Sequence, residues 1–392
     1  MKHALFIAFF LIISLLSVAQ ENTPTLQANF GKGIGVTSAD KLFTMNISGR
    51  IQSMAEFRRD LVNDISTTDF LLRRCRLNIQ GTAFNPKFTY RIQLGFAHGD
   101  ITTNNSAVVN NLFLRDAMLY YAPKKWLKIG FGQTKLPGNR QRLVSSANLQ
   151  LVERSIANNN FTLDRDKGIW MFTNFKLKNV VLKGTVAISS GEGRIVSDKN
   201  GKLCYSGRFE CLPFGEFTNG GDIIESDQEI EKKPKLSIAG VYSYNDQTSR
   251  TMGQLGEYLY NGKTSTIRYY GADLFFKYKG FSFETEWYNR QSSTGIIINS
   301  KDSTLKNYVM SGSTLMFQAG YLVTPSNEVA MRYATITPDA AISGVAHDQK
   351  EIVVGYSHYF KKHNLKIQTD GSYFENGSNK SFVYRLSSVV TF

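Results

Sequence analysis

From Arg74 the chain alternates: Arg74, Arg76, Asn78 and Gln80 stand on one parity, and Cys75, Leu77, Ile79 and Gly81 on the other. A period of two is that of a β-strand. The pattern recurs. Phe88, Tyr90, Ile92, Leu94 and Phe96 oppose Thr89, Arg91, Gln93 and Gly95. Leu127, Ile129 and Phe131 oppose Lys128, Gly130, Gly132 and Thr134. Phe281, Phe283 and Trp287 oppose Ser282, Glu284, Glu286 and Arg290. No convincing amphipathic stretch of helix length stands among them. Sixteen alternating segments are predicted: 31–37, 42–57, 70–83, 87–98, 112–121, 126–134, 167–176, 180–190, 235–244, 267–279, 281–290, 314–324, 328–336, 349–360, 365–374 and 382–392.

The connections between them differ in length. Short ones (84–86, 123–125, 178–179, 280, 325–327, 361–364) take turns with long ones (59–68, 99–111, 135–166, 191–233, 245–266, 291–313, 337–348). Short turns at one rim and long loops at the other, with an even strand number, are the habit of a transmembrane β-barrel. The expected fold class is therefore all-β: a transmembrane antiparallel barrel of about 16 strands with long extracellular loops. In such a barrel the apolar parity meets lipid and the polar parity meets a water-filled lumen. Arg73, on the apolar parity, is expected near the headgroups, where an arginine can snorkel. No repeat or linker divides the chain, so residues 20–392 are read as one barrel domain.

The N-terminus fits an exported protein. Met1-Lys2-His3 is basic, Ala4 to Val18 is almost wholly apolar, and Ser17-Val18-Ala19 is small. This predicts a signal peptide over 1–19. A membrane anchor is the alternative, but the run falls short of the ~20 residues a helical span needs. At the other end Tyr384, Leu386 and Val390 share a parity with the terminal Phe392, which looks like an outer-membrane barrel assembly signal.

Composition sharpens this picture. The 392 residues carry a net charge of +14, but the cations are scattered, so no nucleic-acid patch is indicated. Aromatics are many (27 Phe, 19 Tyr, 3 Trp), and 32 Gly against 8 Pro suit strands with tight turns. A mean hydropathy of −0.24 is too polar for a helical membrane protein. The histidines have no metal-ligand spacing, and neither GxSxG nor a phosphate-binding loop occurs, so no enzyme, metal or cofactor is expected. Cys204 and Cys211 bracket "CYSGRFEC" in a stretch that looks like loop. In an oxidising compartment a small disulfide loop and two free thiols are both open.

Several stretches together resemble the phosphate-selective porin O/P family of Gram-negative outer membranes. They are "ISGRIQ" (47–52), "LRRCRLNIQGTAF" (72–84), "LRDAMLYY" (114–121), "WLKIGFGQTKLP" (126–137), "LVERS" (151–155), "LDRDKGIW" (163–170), "EWYNR" (286–290) and "QAGYLVT" (318–324). The resemblance implies a 16-stranded outer-membrane barrel, a homotrimer in lipid, passing small anions passively. It also implies a third long loop folded into the lumen as a constriction. That region maps to 131–166 and carries Lys135, Arg140, Arg142, Glu153, Arg154 and Arg165. Glu153, Asp164 and Asp166 interrupt the basic array that phosphate-selective members have there, so the solute stays undefined.

Arg50, Arg74, Arg76, Arg91, Lys128, Lys183 and Arg385 fall on the lumen parity. They would raise the local anion concentration. The alternative for each is bracing: pairing with Glu284, Glu286, Asp273, Asp116 or Glu328. Glu153-Arg154-Ser155 is expected to be an acid–base pair pinning the loop to the wall. Two functions follow. The first is a diffusion channel for small anions such as phosphate. The second is a non-conducting accessory barrel whose long loops, 191–233 or 291–313, bind a partner.

Overall fold

The computed structural model describes residues 23–97, 113–194 and 201–392. The signal-peptide segment, His98 and the 99–111 connection lie outside the described residues. The strands are β1 (Thr25–Asn29), β2 (Gly33–Thr37), β3 (Phe43–Asp60), β4 (Ile65–Ala83), β5 (Asn85–Gly95), β6 (Leu114–Lys124), β7 (Leu127–Lys135), β8 (Arg165–Leu177), β9 (Val180–Ser189) and β10 (Cys204–Leu212). They continue with β11 (Lys235–Thr248), β12 (Ser265–Tyr278), β13 (Phe281–Ser292), the two-residue β14 (Ile297–Ile298) and β15 (Lys306–Asn307), β16 (Gly312–Thr324), β17 (Asn327–Pro338), β18 (Gln349–Lys361), β19 (Leu365–Asn376) and β20 (Asn379–Thr391). All but β14 and β15 belong to one 18-stranded sheet. β20 pairs antiparallel with β3 and closes it. β1 and β2 form a hairpin hung on β3, which leaves a closed barrel of 16 strands.

The seam explains the chain's last residue. β3 gives residues 50–60 to β20 and residues 44–47 to β2 along the same edge. Between them the Gly49 amide donates to the Phe392 carbonyl at 2.6 Å, and the Phe392 amide donates back at 2.9 Å. A Cβ on Gly49 would stand 2.5 Å from the Phe392 ring, so this glycine makes room for the terminal aromatic.

Burial is inverted relative to a soluble protein. Leu119 (67% exposed) and Met331 (60%) face outward, while Glu328 (0%) and Arg332 (2%) are inside. On β18 the outward Ile352, Val354 and Tyr356 alternate with the buried Glu351, Val353 and Ser357. In lipid this is the stable arrangement, because closure pairs every ladder group and the apolar parity meets hydrocarbon.

The predicted strand number is right through two compensating errors. Segment 31–37 is β2, outside the barrel. Segment 204–212, read as loop, is the barrel strand β10, laddered to both β9 and β11. The 191–233 loop therefore divides. Residues 190–194 and 201–203 lie at the long-loop rim, and 213–234 lie at the short-turn rim. β10 also corrects the disulfide. Cys204 and Cys211 sit seven residues apart on one extended strand, about 23 Å, where a disulfide needs Cα atoms within about 7 Å. Their parities are opposite, and both are free thiols, as is Cys75. Titration of the unfolded, non-reduced protein is expected to count three thiols; a count of one would restore the bridge.

Candidate functional site

Two segments enter the lumen from opposite rims. The first, 136–164, carries the short helices α1 (Arg140–Leu143) and α2 (Ile156–Asn160). Ser155 caps α2 by accepting from the Asn158 amide at 3.1 Å. The wall holds this loop at many points. Arg140 donates to Asp273 (2.7 Å), Glu210 (2.7 Å) and Ser237 (2.6 Å). The Gln141 amide donates to Glu286 at 2.7 Å, and the Gln150 amide group to Glu328 at 2.7 Å. The Val152 amide donates to Asp370 at 3.0 Å. The second segment, 213–234, comes from the short-turn rim and corrects the expectation of a single inward loop. Its Glu225 amide donates to the Asn148 carbonyl at 3.0 Å and its carboxylate accepts from the Gln150 amide at 2.8 Å. The two segments meet inside the barrel and fill the half of the lumen bounded by β10–β19 with a buried polar lattice.

The other half, against β3–β8, holds a cavity of about 520 Å³. Its wall side carries Arg73, Arg74, Arg76, Arg91 and Arg115, together with Lys135 and Arg165, expected in the loop but paired at the ends of β7 and β8; its loop side carries Arg142, Arg154 and Arg194. Among the described residues, three carboxylates, Asp116, Glu153 and Asp164, stand against these ten cations, an excess of seven positive charges. Above it, at the long-loop rim, a vestibule of about 450 Å³ shares Arg73, Glu153, Arg154 and Asn159 with the chamber. The vestibule is nearly balanced: Arg58, Arg73, Arg154, Lys350 and Arg385 against Glu56, Glu153, Glu351 and Glu375.

Two β-bulges shape the chamber. On β4 the register steps from Gln52↔Arg74 to Ser53↔Leu72, so Arg73 is the extra residue. A bulge turns two successive side chains toward one face. Arg73 therefore points inward and binds Glu153, with Nε–Oε1 at 2.5 Å and Nη2–Oε2 at 3.0 Å. This overturns its placement at the headgroups. On β6 the register steps from Gln93↔Asp116 to Leu94↔Leu114, which turns Arg115 inward beside Asp116. Arg115 was hidden by its outward parity. Arg194 sits in a loop, where parity gives no direction.

The predicted lumen cations divide by role. Arg74, Arg76 and Arg91 line the chamber. Arg74 donates to Gln52 (2.7 Å) and Glu153 (2.9 Å). Arg50 and Arg76 are cross-strand partners and both donate to the Ser146 hydroxyl oxygen, at 2.8 and 2.9 Å. Lys128 lies toward the short-turn rim, its ammonium 4.8 Å from the Tyr120 ring centre and 4.7 Å from that of Phe172. Lys183 pairs with Asp222 at 2.5 Å and Arg385 with Asp370 at 2.7 Å, which is bracing. Among the residues expected in the loop, Arg140 lies outside the chamber, shared between Asp273 and Glu210. Arg142 binds Asp164 at 2.9 Å, and Arg165 binds Asp116 at 2.8 Å. Lys135 donates to the Leu143 carbonyl at 2.9 Å. Arg154 donates to the Gln141 and Val144 carbonyls at 2.7 Å each. The Glu153 carboxylate does reach the wall, but at Arg73 and Arg74 rather than at its neighbour Arg154.

Burial raises the Glu153 carboxyl, but Arg74 and Arg73 outweigh it and hold the group at about 2. Because the folded value is depressed, the pairing is fully present above the ordinary carboxylate range and is lost as pH falls toward about 2.

A closed 16-stranded barrel with an inverted surface and a narrowed, charged lumen is an outer-membrane porin. The family model described as phosphate-selective porin O and P matches residues 45–216, from β3 to just beyond β10. An anion-selective porin from Comamonas acidovorans is similar in structure, with TM-score 0.56, 10% identity, and 89% of this chain and 100% of that one covered. A loop-deleted OmpT of Vibrio cholerae has TM-score 0.56 and 10% identity over 90% and 100% of the two chains. The outer-membrane channel DcaP of Acinetobacter baumannii has TM-score 0.53 and 13% identity over 89% and 97%. No curated protein matches the chain.

Proposed function

We propose that this barrel is a passive outer-membrane channel for small anions, phosphate-like and carboxylate solutes among them, working as a homotrimer. The observation that carries this is the chamber, with ten cations against three carboxylates. A charged cleft with low-dielectric walls concentrates counter-ions. Guanidiniums stacked down the wall offer charge-assisted hydrogen bonds to oxyanions in succession. Conduction needs such sites to be several and each weak enough to leave. The name of the Comamonas porin, and the trimer form named for Vibrio OmpT, are consistent with anion passage and with a trimer.

Reconstitution into planar bilayers under a potassium chloride gradient tests this. Discrete conductance steps with an anion-biased reversal potential are expected. A cation bias would refute the anion reading, and well-folded protein without conductance would favour the accessory barrel.

A further inference from the structure

Glu153 stands where the balanced vestibule gives way to the basic chamber, and it lines both. Its carboxylate accepts three hydrogen bonds, two from the Arg73 fork and one from Arg74. This is the geometry in which two guanidiniums would hold a free carboxylate or one edge of a phosphate. The β4 bulge makes it possible, since it sets two adjacent arginines on one face.

Two observations separate this contact from the loop's anchors. The first is exposure. The Arg73 and Glu153 side chains are 30% and 15% exposed, with Arg74 behind them at 4%, whereas both members of the anchoring Arg140–Asp273 pair are closed off, at 4% and 0%. The second is redundancy. Around Glu153 the loop is fixed through its backbone: the Val152 amide to Asp370 (3.0 Å), the Glu153 carbonyl to Arg332 (2.9 Å) and the Ile156 amide to Glu351 (3.3 Å). None of these uses the Glu153 carboxylate.

We propose that Arg73 and Arg74 form an oxyanion seat at the throat, that Glu153 fills it at rest as an internal counter-anion, and that a permeating oxyanion takes the place of Glu153. This rests on the anion-channel reading above and names its selecting residue. A carboxylate or phosphate can replace Glu153 on both arginines with its hydrogen bonds conserved. A halide offers a single point acceptor and cannot match the fork, so the throat favours oxyanions over chloride. Solutes with two oxygens on one centre are the class the seat takes.

The test uses the full-length protein in planar bilayers, with chloride as the current carrier and inorganic phosphate as the competitor. Glu153→Gln removes the internal charge. It is expected to lower the half-blocking phosphate concentration roughly tenfold and to raise chloride conductance at low salt. Arg73→Lys keeps the charge and removes the fork. It is expected to raise the half-blocking phosphate concentration while leaving the chloride-to-potassium permeability ratio in place. Unchanged or reduced chloride conductance with unchanged block in Glu153→Gln would make Glu153 a brace and overturn the proposal. So would an unchanged block in Arg73→Lys, which serves alone if the glutamine variant does not fold. A wild-type channel without anion bias would instead overturn the function itself.

Discussion

Replacing Arg76 and Arg91 together by glutamine is expected to lower the chloride-to-potassium permeability ratio by about tenfold, through loss of roughly 1 kcal/mol or more of anion stabilisation. Both side chains line the chamber below the throat. At about 4 Å a unit charge is worth about 1 kcal/mol even at the dielectric constant of water, and a narrow protein-walled lumen sits below that limit. Removing two of the seven excess charges cuts the field that an entering anion meets. Salt screens the effect, so it should be largest well below physiological ionic strength. Glutamine keeps hydrogen bonding along the wall, which limits the change to charge. Reversal potentials in a salt gradient read the ratio directly. A value unmoved from wild type would assign both residues to wall bracing, as the structure assigns Lys183 and Arg385.

The alternating parities were enough to orient most of the wall, because lipid and water impose opposite demands on neighbouring residues. Arg74, Arg76 and Arg91 point inward as their parity requires. Parity fails where a strand gains a residue. Arg73 and Arg115 both stand on the outward parity, and both are turned inward by a bulge whose existence depends on the partner strand's register. Register is a property of two strands, so one strand's sequence cannot display it.

β10 is a different kind of miss. Cys204, Ser206, Arg208 and Glu210 alternate with Tyr205, Gly207, Phe209 and Cys211. The flanking cysteines drew attention to a loop pairing instead. Two long connections, 191–233 and 245–266, with one strand between them already broke the alternation of rims, and a strand hidden in the first restores it. The inward course of 213–234 had no local signal, because its buried acids Asp222, Glu225 and Asp227 look like an ordinary solvated turn. Their burial comes from Lys277, whose ammonium donates to the Gly221 and Ser226 carbonyls, and from the Gln150 amide on Glu225. All these partners are remote in sequence.

Arg140→Ala is expected to free the first half of the constriction loop while leaving the barrel closed. Arg140 and Arg208 share Asp273, with Arg208 donating at 2.6 and 2.9 Å and the Tyr288 hydroxyl at 2.8 Å. Arg140 also carries Glu210, whose distance to Arg208 is 4.0 Å. Deleting one member of a buried ion cluster leaves charge uncompensated and costs about 3–5 kcal/mol. That cost falls on the docking of α1, which has four residues and cannot hold its turn without tertiary contacts. The strand ladder does not depend on it, since every barrel strand keeps both neighbours. The cleavage rate of the folded protein within 136–148 should therefore rise at least tenfold under limited proteolysis, as expected for an opening eased by more than 1.4 kcal/mol. Conductance should become noisy and less anion-biased as Arg142, which lies in α1, and Arg154, which donates to the Gln141 carbonyl of α1, lose their fixed positions in the chamber. Glu153→Gln, acting on an otherwise anchored segment, should leave that cleavage rate at the wild-type value. A protected loop and quiet, unchanged conductance in Arg140→Ala would show that the Gln141–Glu286 and Gln150–Glu328 contacts hold the constriction without it.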